Sequence, residues 1–311
     1  MNQRFAILDL GTNTFHLLMV DVRDDRSFQV IYKAEEFVQL GENGLDEIGE
    51  KPFSRGLQQI RKYKEVIDQL QPQQIIAFGT AAIRRASNGD DFVQQIKSIC
   101  PMEVRKISGD EEAALICLGV RQAVKLNEEP VLIMDIGGGS TEFIIANKDQ
   151  LFWKQSFPAG ASVLKQQFHH HEPIAVTERE HLKSFLKEVL QPLFLKRDDF
   201  NITHLVGASG SFDTFAKMIS YRFYKVEISK EKTFFDFTPE QFHIMYQQLI
   251  RSNLEQRLAM QGMKAFRAGM ITVGAVLTEV VLQYFNIQKI TQSAYALKEG
   301  VLWKMIQNEK V

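Results

Sequence analysis

Cysteine is nearly absent: Cys100 and Cys117 are the only two in 311 residues. Two thiols build no disulfide framework, and no Cys-x-x-Cys pair is there to hold zinc. Both read as structural thiols in a reducing compartment. Net charge is equally scarce, with 37 Lys and Arg against 38 Asp and Glu leaving −1. Bulk attraction to nucleic acid or to a membrane surface has no basis in such a balance. A polyanionic substrate would need only a local basic patch. Membrane-length hydrophobic runs are missing too. The most apolar stretch, Gly269 to Phe285, contains Glu279 and Gln283 and reads as a buried core helix. At the N-terminus the run Phe5-Ala6-Ile7-Leu8 stops at Asp9, too soon for a signal peptide. The expected location is cytoplasmic. No low-complexity linker divides the chain.

What is present is ordinary soluble composition, 45% hydrophobic and 24% charged, at a length that suggests about two domains. Strand and helix signals alternate. Phe5–Asp9, Gln74–Phe78, Val131–Met134 and Phe143–Ala146 are short apolar runs. Ser54–Leu70, Asp91–Ile99, Glu111–Val124 and His181–Phe194 carry apolar residues at helical spacing. The alternation predicts α/β layers, with a boundary in the polar segment Lys125–Pro130. An internal echo supports two similar halves. Leu8-Asp9-Leu10-Gly11-Thr12-Asn13-Thr14 is matched 126 positions later by Met134-Asp135-Ile136-Gly137-Gly138-Gly139-Ser140. A second pair, Ile75–Thr80 and His204–Ser209, repeats strand, glycine and hydroxyl at nearly the same offset.

The chemistry of the repeated turn suits phosphate. Glycine lets backbone N–H groups approach an anion closely, and Ser and Thr hydroxyls add donors. The Asp makes sense if it holds Mg²⁺, which takes oxygen ligands and keeps several waters. One such turn could equally be a tight β-hairpin; two facing each other favour phosphate binding.

These turns resemble the two phosphate loops of the actin-like ATPase superfamily. More narrowly they resemble the exopolyphosphatase/guanosine pentaphosphate phosphohydrolase (Ppx/GppA) family. Further segments extend the likeness: Gly79-Thr80-Ala81-Ala82-Ile83-Arg84-Arg85-Ala86-Ser87-Asn88, Ser108-Gly109-Asp110-Glu111-Glu112-Ala113, Gly207-Ala208-Ser209-Gly210, and Leu297-Lys298-Glu299-Gly300. The resemblance runs from Asp9 to Gly300 and is to the short, two-domain form. It implies two ribonuclease-H-like (actin-like ATPase) domains with an interdomain cleft. Domain I would be residues 1–124 with a closing helix 296–311 returning to it, and domain II residues 125–295. It implies Mg-assisted, in-line attack of water on the terminal phosphoanhydride of inorganic polyphosphate or guanosine pentaphosphate, releasing orthophosphate. A homodimer is implied by resemblance alone.

Roles follow residue by residue. Glu112, at a helix start where acids also suit the dipole, is the expected group that orients or deprotonates water. Asp135 and Glu142 flank one turn and are the expected metal ligands, with Asp9 a weaker, water-mediated partner. His16 replaces Glu142 in the other turn, which suggests one metal loop and one phosphate-only loop. Thr12, Asn13, Thr14, Gly137, Gly138, Gly139, Ser140, Thr141, Ser209 and Gly210 are expected donors to phosphate. Arg84 is the expected guanidinium on phosphate, with Arg85 its solvent-facing neighbour. Two positions depart from the family pattern. Lys298 stands where Arg is usual, which keeps charge and loses the planar fork. Gln39 stands where many relatives are basic, which weakens an extended phosphate track in the first half. His169-His170-His171 reads as a polar loop, since consecutive residues do not readily face one ion. Phe, 23 in all, reads as core packing. The competing readings are a small-molecule kinase on the same scaffold, which would need an adenosine pocket, and a non-catalytic nucleotide sensor, which would need no base.

Overall fold

The computed structural model describes residues 3–229 and 231–307; the last four residues of the expected closing helix, 308–311, lie outside them. The first half runs β1 (Gln3–Leu10), β2 (Thr14–Val22), β3 (Phe28–Phe37), α1 (Glu50–Leu70), β4 (Gln74–Gly79), α2 (Ala81–Arg85), α3 (Gly89–Ile99), β5 (Val104–Lys106) and α4 (Gly109–Ala123). The second runs β6 (Val131–Ile136), β7 (Thr141–Ala146), β8 (Leu151–Phe157), α5 (Ala161–Phe168), α6 (Val176–Val189), α7 (Gln191–Phe194), β9 (His204–Ala208), α8 (Ser209–Ile219), β10 (Phe234–Phe237), α9 (Pro239–Ile250), α10 (Leu254–Leu258), α11 (Ile271–Phe285), β11 (Lys289–Ser293) and α12 (Leu297–Ile306).

Both sheets share one order. The first is β3-β2-β1-β4-β5; the second, read from its opposite edge, is β8-β7-β6-β9-β11 with β10 added outside. In each, a three-stranded antiparallel meander is followed by parallel strands, β1 against β4 and β6 against β9. This is the ribonuclease-H-like arrangement, present twice, and it makes the sequence echo a structural one. The α/β class expected from the alternation holds.

Helices cover the sheets on both faces. β6 and β7 are accordingly buried at every position, as two-sided coverage demands. α1, α2 and α3 pack outside the first sheet. α6, α8, α9 and α11 pack outside the second. Between the sheets lies a core of α4 and α12 together with Phe5 and Val20 of one sheet and Ile133 and Ile144 of the other. α11 is the apolar stretch singled out in the sequence, and nearly all of it is buried. Among the described residues no helix is long and apolar enough to cross a membrane.

One element differs from expectation. The stripe His181–Phe194 is not a single helix: α6 ends at Val189 and α7 restarts at Gln191. Pro192 is the reason, since it offers no N–H to the preceding turn and its ring clashes there, while it suits the opening of a new helix.

Candidate active site

The β1–β2 and β6–β7 turns are built alike. The Gly11 N–H donates to the Thr14 carbonyl at 3.0 Å, and the Gly137 N–H to the Ser140 carbonyl at 3.0 Å. A Cβ on Gly11 would lie 2.8 Å from Thr14 O, and one on Gly137 2.9 Å from Ser140 O. Glycine is therefore required twice for one reason. The two turns also touch. A Cβ on Gly138 would meet the Asn13 side chain at 2.7 Å, and one on Gly139 would meet Thr12 Oγ1 at 2.8 Å. Asn13 is further engaged across the cleft, accepting from Ser162 Oγ at 2.7 Å.

A cavity of about 160 Å³ opens between the turns, at the carboxyl ends of the parallel strands, where α/β sheets place ligands. Thr12, Asn13, Thr14, Gly137, Gly138, Gly139, Ser140, Ser209 and Gly210 line it together with Glu112 and Asp135. Ser209 opens α8 in the left-handed region, φ 62°, strain of the kind that collects at functional sites. Its hydroxyl donates to Asp135 Oδ2 at 2.6 Å, so it holds a carboxylate. Thr141 does not reach the cavity: it is fully buried and donates to the Ala159 carbonyl at 2.8 Å. Glu142 also lies behind the wall. It is 1% exposed, stands opposite Asp135 in the β6–β7 register and accepts from Ser156 Oγ at 2.6 Å.

Glu112 is set by α4. Ser108 caps that helix, accepting from the Glu111 N–H at 3.1 Å, and the first turn then carries Glu112 inward. Glu111 turns outward to Arg105, 2.7 Å away. Arg84 faces Glu112, not the cavity. Its Nη1 donates to the Ile107 carbonyl at 2.7 Å and to Glu112 Oε2 at 3.2 Å. Arg85 is exposed, as expected.

Four carboxyls are thus gathered in or just behind the cavity wall, and each is pushed up. Burial raises Asp9 to about 7, with Lys298 pulling it back. Burial raises Asp135 to about 6 against the Ser209 hydrogen bond. Burial and the charge of Asp135 raise Glu142 to about 7. Burial and the charge of Glu142 hold Glu112 well above the usual range, and Arg84 opposes them. Among the described residues no three acidic, His or Cys side chains form a ready-made metal cage. Mg²⁺ does not ask for one. It is held by one or two carboxylates, waters and phosphate oxygens. Asp9 and Asp135, mutually repelling and open to the cavity, fit it.

Sequence reasoning missed most of the cationic wall. Lys33 and Arg267 line the cavity, Asp213 lies beside them, and Lys298 points in from the start of α12. Arg267 lies across the α8 turn so closely that a Cβ on Gly210 would sit 1.7 Å from its Nη2. Gly210 is thus a glycine for the sake of Arg267. The only signal for Arg267 in the sequence was its place just before the apolar α11. Gln39 stands off the cavity, where its own N–H donates to the Asn13 carbonyl at 2.9 Å.

Its relatives place this chain, with its fold and cavity, among enzymes that hydrolyse phosphoanhydrides. The model of the Ppx/GppA phosphatase family matches residues 19–309, and the chain belongs to that family. It is 38% identical to an exopolyphosphatase from Cytophaga hutchinsonii of known crystal structure, with 99% of each chain covered and a TM-score of 0.95. A PPX-GPPA enzyme of Aquifex aeolicus, 24% identical over 97% of this chain and 99% of its own, has the same fold with a TM-score of 0.79. A Haemophilus influenzae protein provisionally named an exopolyphosphatase is 26% identical over 312 residues, covering 99% of this chain and 93% of that protein.

Proposed function

We propose that the chain releases orthophosphate from the end of inorganic polyphosphate, or from guanosine pentaphosphate, with Mg²⁺ bound at Asp135. The observation that carries this reading is the pair of matched turns facing one cavity that also holds buried carboxylates. The names borne by the relatives support polyphosphate as the substrate class.

In this reading the backbone N–H groups and hydroxyls of residues 12–14 and 137–140 grip the terminal phosphoryl. Glu112 accepts a proton from water as the water oxygen bonds to phosphorus and the bridging P–O bond breaks. The leaving chain keeps the bridging oxygen. A raised pKa suits a base that must work near neutrality, and Arg84 keeps its carboxylate aimed. Mg²⁺ neutralises phosphate charge as it develops in an in-line transfer; Asp135, steadied by Ser209, and Asp9 would hold it, with Glu142 shaping Asp135 from behind. Arg267 lying over Gly210 occupies the space an adenine would need there, which favours a hydrolase over a kinase.

The test is phosphate release from long-chain polyphosphate and from guanosine pentaphosphate, side by side, with Mg²⁺ and with chelator. Release from at least one substrate, abolished by chelator, is expected. Release from neither by folded protein sinks the reading. Asp135→Asn should weaken the Mg²⁺ titration and the rate together; an unchanged titration removes Asp135 as ligand.

A further inference from the structure

The cleft is latched at its mouth by a cluster that the reaction above does not use. Glu35 on β3 accepts from Arg267 Nη2 at 2.6 Å and also meets Lys264 Nζ. Beside it Phe37 stacks on Phe266, centroids 5.0 Å apart, and the Arg267 guanidinium lies 5.0 Å over the same ring. Arg267 Nε is buried without a hydrogen-bond partner. Burial works against charge on Glu35, yet Arg267 and Lys264 outweigh it and hold the carboxyl low, at about 2. One carboxylate therefore occupies two cations, one of which retains an unused donor.

Its position gives this contact a meaning. Asp9, His16 and Glu35 lie abreast on β1, β2 and β3, and all three line the cavity. Glu35 stands two strand spacings from Asp9, about 10 Å. A single phosphate held between the turns does not span that distance. The outer phosphates of a chain would reach that far, to the place where Glu35 now holds Lys264 and Arg267.

We propose that Glu35 is a specificity-determining residue, an internal carboxylate that occupies Lys264 and Arg267 until the outer phosphates of a polyanion displace it. Orthophosphate and other small anions leave the latch closed. A chain of several phosphates exchanges one carboxylate for oxyanions that can also use the free Arg267 donor. The inference rests on the phosphoanhydride reading of the site, and its test is separable from that reading.

The experiment compares the full chain with Glu35→Gln. Equilibrium binding of inorganic tripolyphosphate and of orthophosphate is measured in chelator; KM and kcat for tripolyphosphate are measured in Mg²⁺. Loss of the competing charge-assisted bonds should tighten tripolyphosphate binding by about tenfold. It should lower KM to a similar degree without raising kcat, and widen the preference over orthophosphate, which leaves the latch closed. Glu35→Asp should restore wild-type behaviour in part. Unchanged or weaker tripolyphosphate binding, or binding by neither protein, overturns the proposal. Wild-type protein that binds tripolyphosphate but releases no phosphate in Mg²⁺ overturns the hydrolase reading instead. Should Glu35→Gln not fold, Lys264→Gln serves: it must weaken tripolyphosphate binding several-fold, and unchanged affinity is the overturning result.

Discussion

Glu112 owes its chemistry to neighbours contributed by three other segments of the chain. Burial and the nearby Glu142 charge favour its protonated form, while Arg84, anchored on the Ile107 carbonyl, favours the carboxylate. In the proposed reaction that balance serves a carboxyl that takes a proton from water. Glu112→Gln keeps the shape and removes that capacity. It should lower kcat by ~10²–10⁴-fold, the usual contribution of a positioned base, with KM little changed. Steady-state phosphate release measures both, and a kcat within about tenfold of wild type removes Glu112 as an essential base. The motif pointed to Glu112 as a base. The assignment of Arg84 to Glu112 could not be read there, because a guanidinium suits phosphate and carboxylate equally and only the fold decides which is within reach.

Helices α4 and α12 carry Glu112 and Lys298 to the same cavity, and they cross closely enough for backbone to touch backbone. A Cβ on Gly300 would lie 1.8 Å from Leu115 O, and one on Gly119 2.0 Å from Ala296 O. Leu297-Lys298-Glu299-Gly300 thus has a packing reason for its glycine. Glu299 holds the helix start, accepting from the Ala296 N–H at 3.0 Å. Gly300→Ala forces the helices apart. It should cost roughly 1–3 kcal/mol, the usual penalty of overpacking, seen as a lower urea midpoint, and it should slow turnover by shifting Glu112. An unchanged midpoint would mean that the crossing yields freely. The apolar spacing of α4 was legible in sequence. Its partner was implied only by the family resemblance, since 177 residues separate Gly119 from Ala296 and chain distance carries no sign of contact.

The whole molecule buries several acids in one cleft, and that has a consequence for stability. Asp9, Asp135 and Glu142 titrate at about 7, 6 and 7 when folded, against ordinary values near 4 in an unfolded chain. Between those limits the folded state binds more protons than the unfolded one. Their stabilising contribution is therefore full below about pH 4 and is lost as the pH rises through 6 to 7. In chelator the melting temperature should fall between pH 5 and pH 8, and Mg²⁺ added at pH 8 should recover much of the loss. A melting temperature that stays level in chelator over this window would show that the cluster is relieved some other way.

Local chemistry was enough to identify the repeated Asp-x-Gly turns, their hydroxyls, the helix bearing Glu112 and the duplicated α/β plan, because each is encoded by spacing within a few residues. Tertiary structure alone decided which side chains meet. It drew Thr141 and Glu142 behind the wall, turned Arg84 onto Glu112, and set Arg267 over Gly210 and against Glu35. Those pairings join residues far apart in the chain, and burial, which shifts the carboxyls, exists only once the two sheets and the helices between them have closed around the cleft.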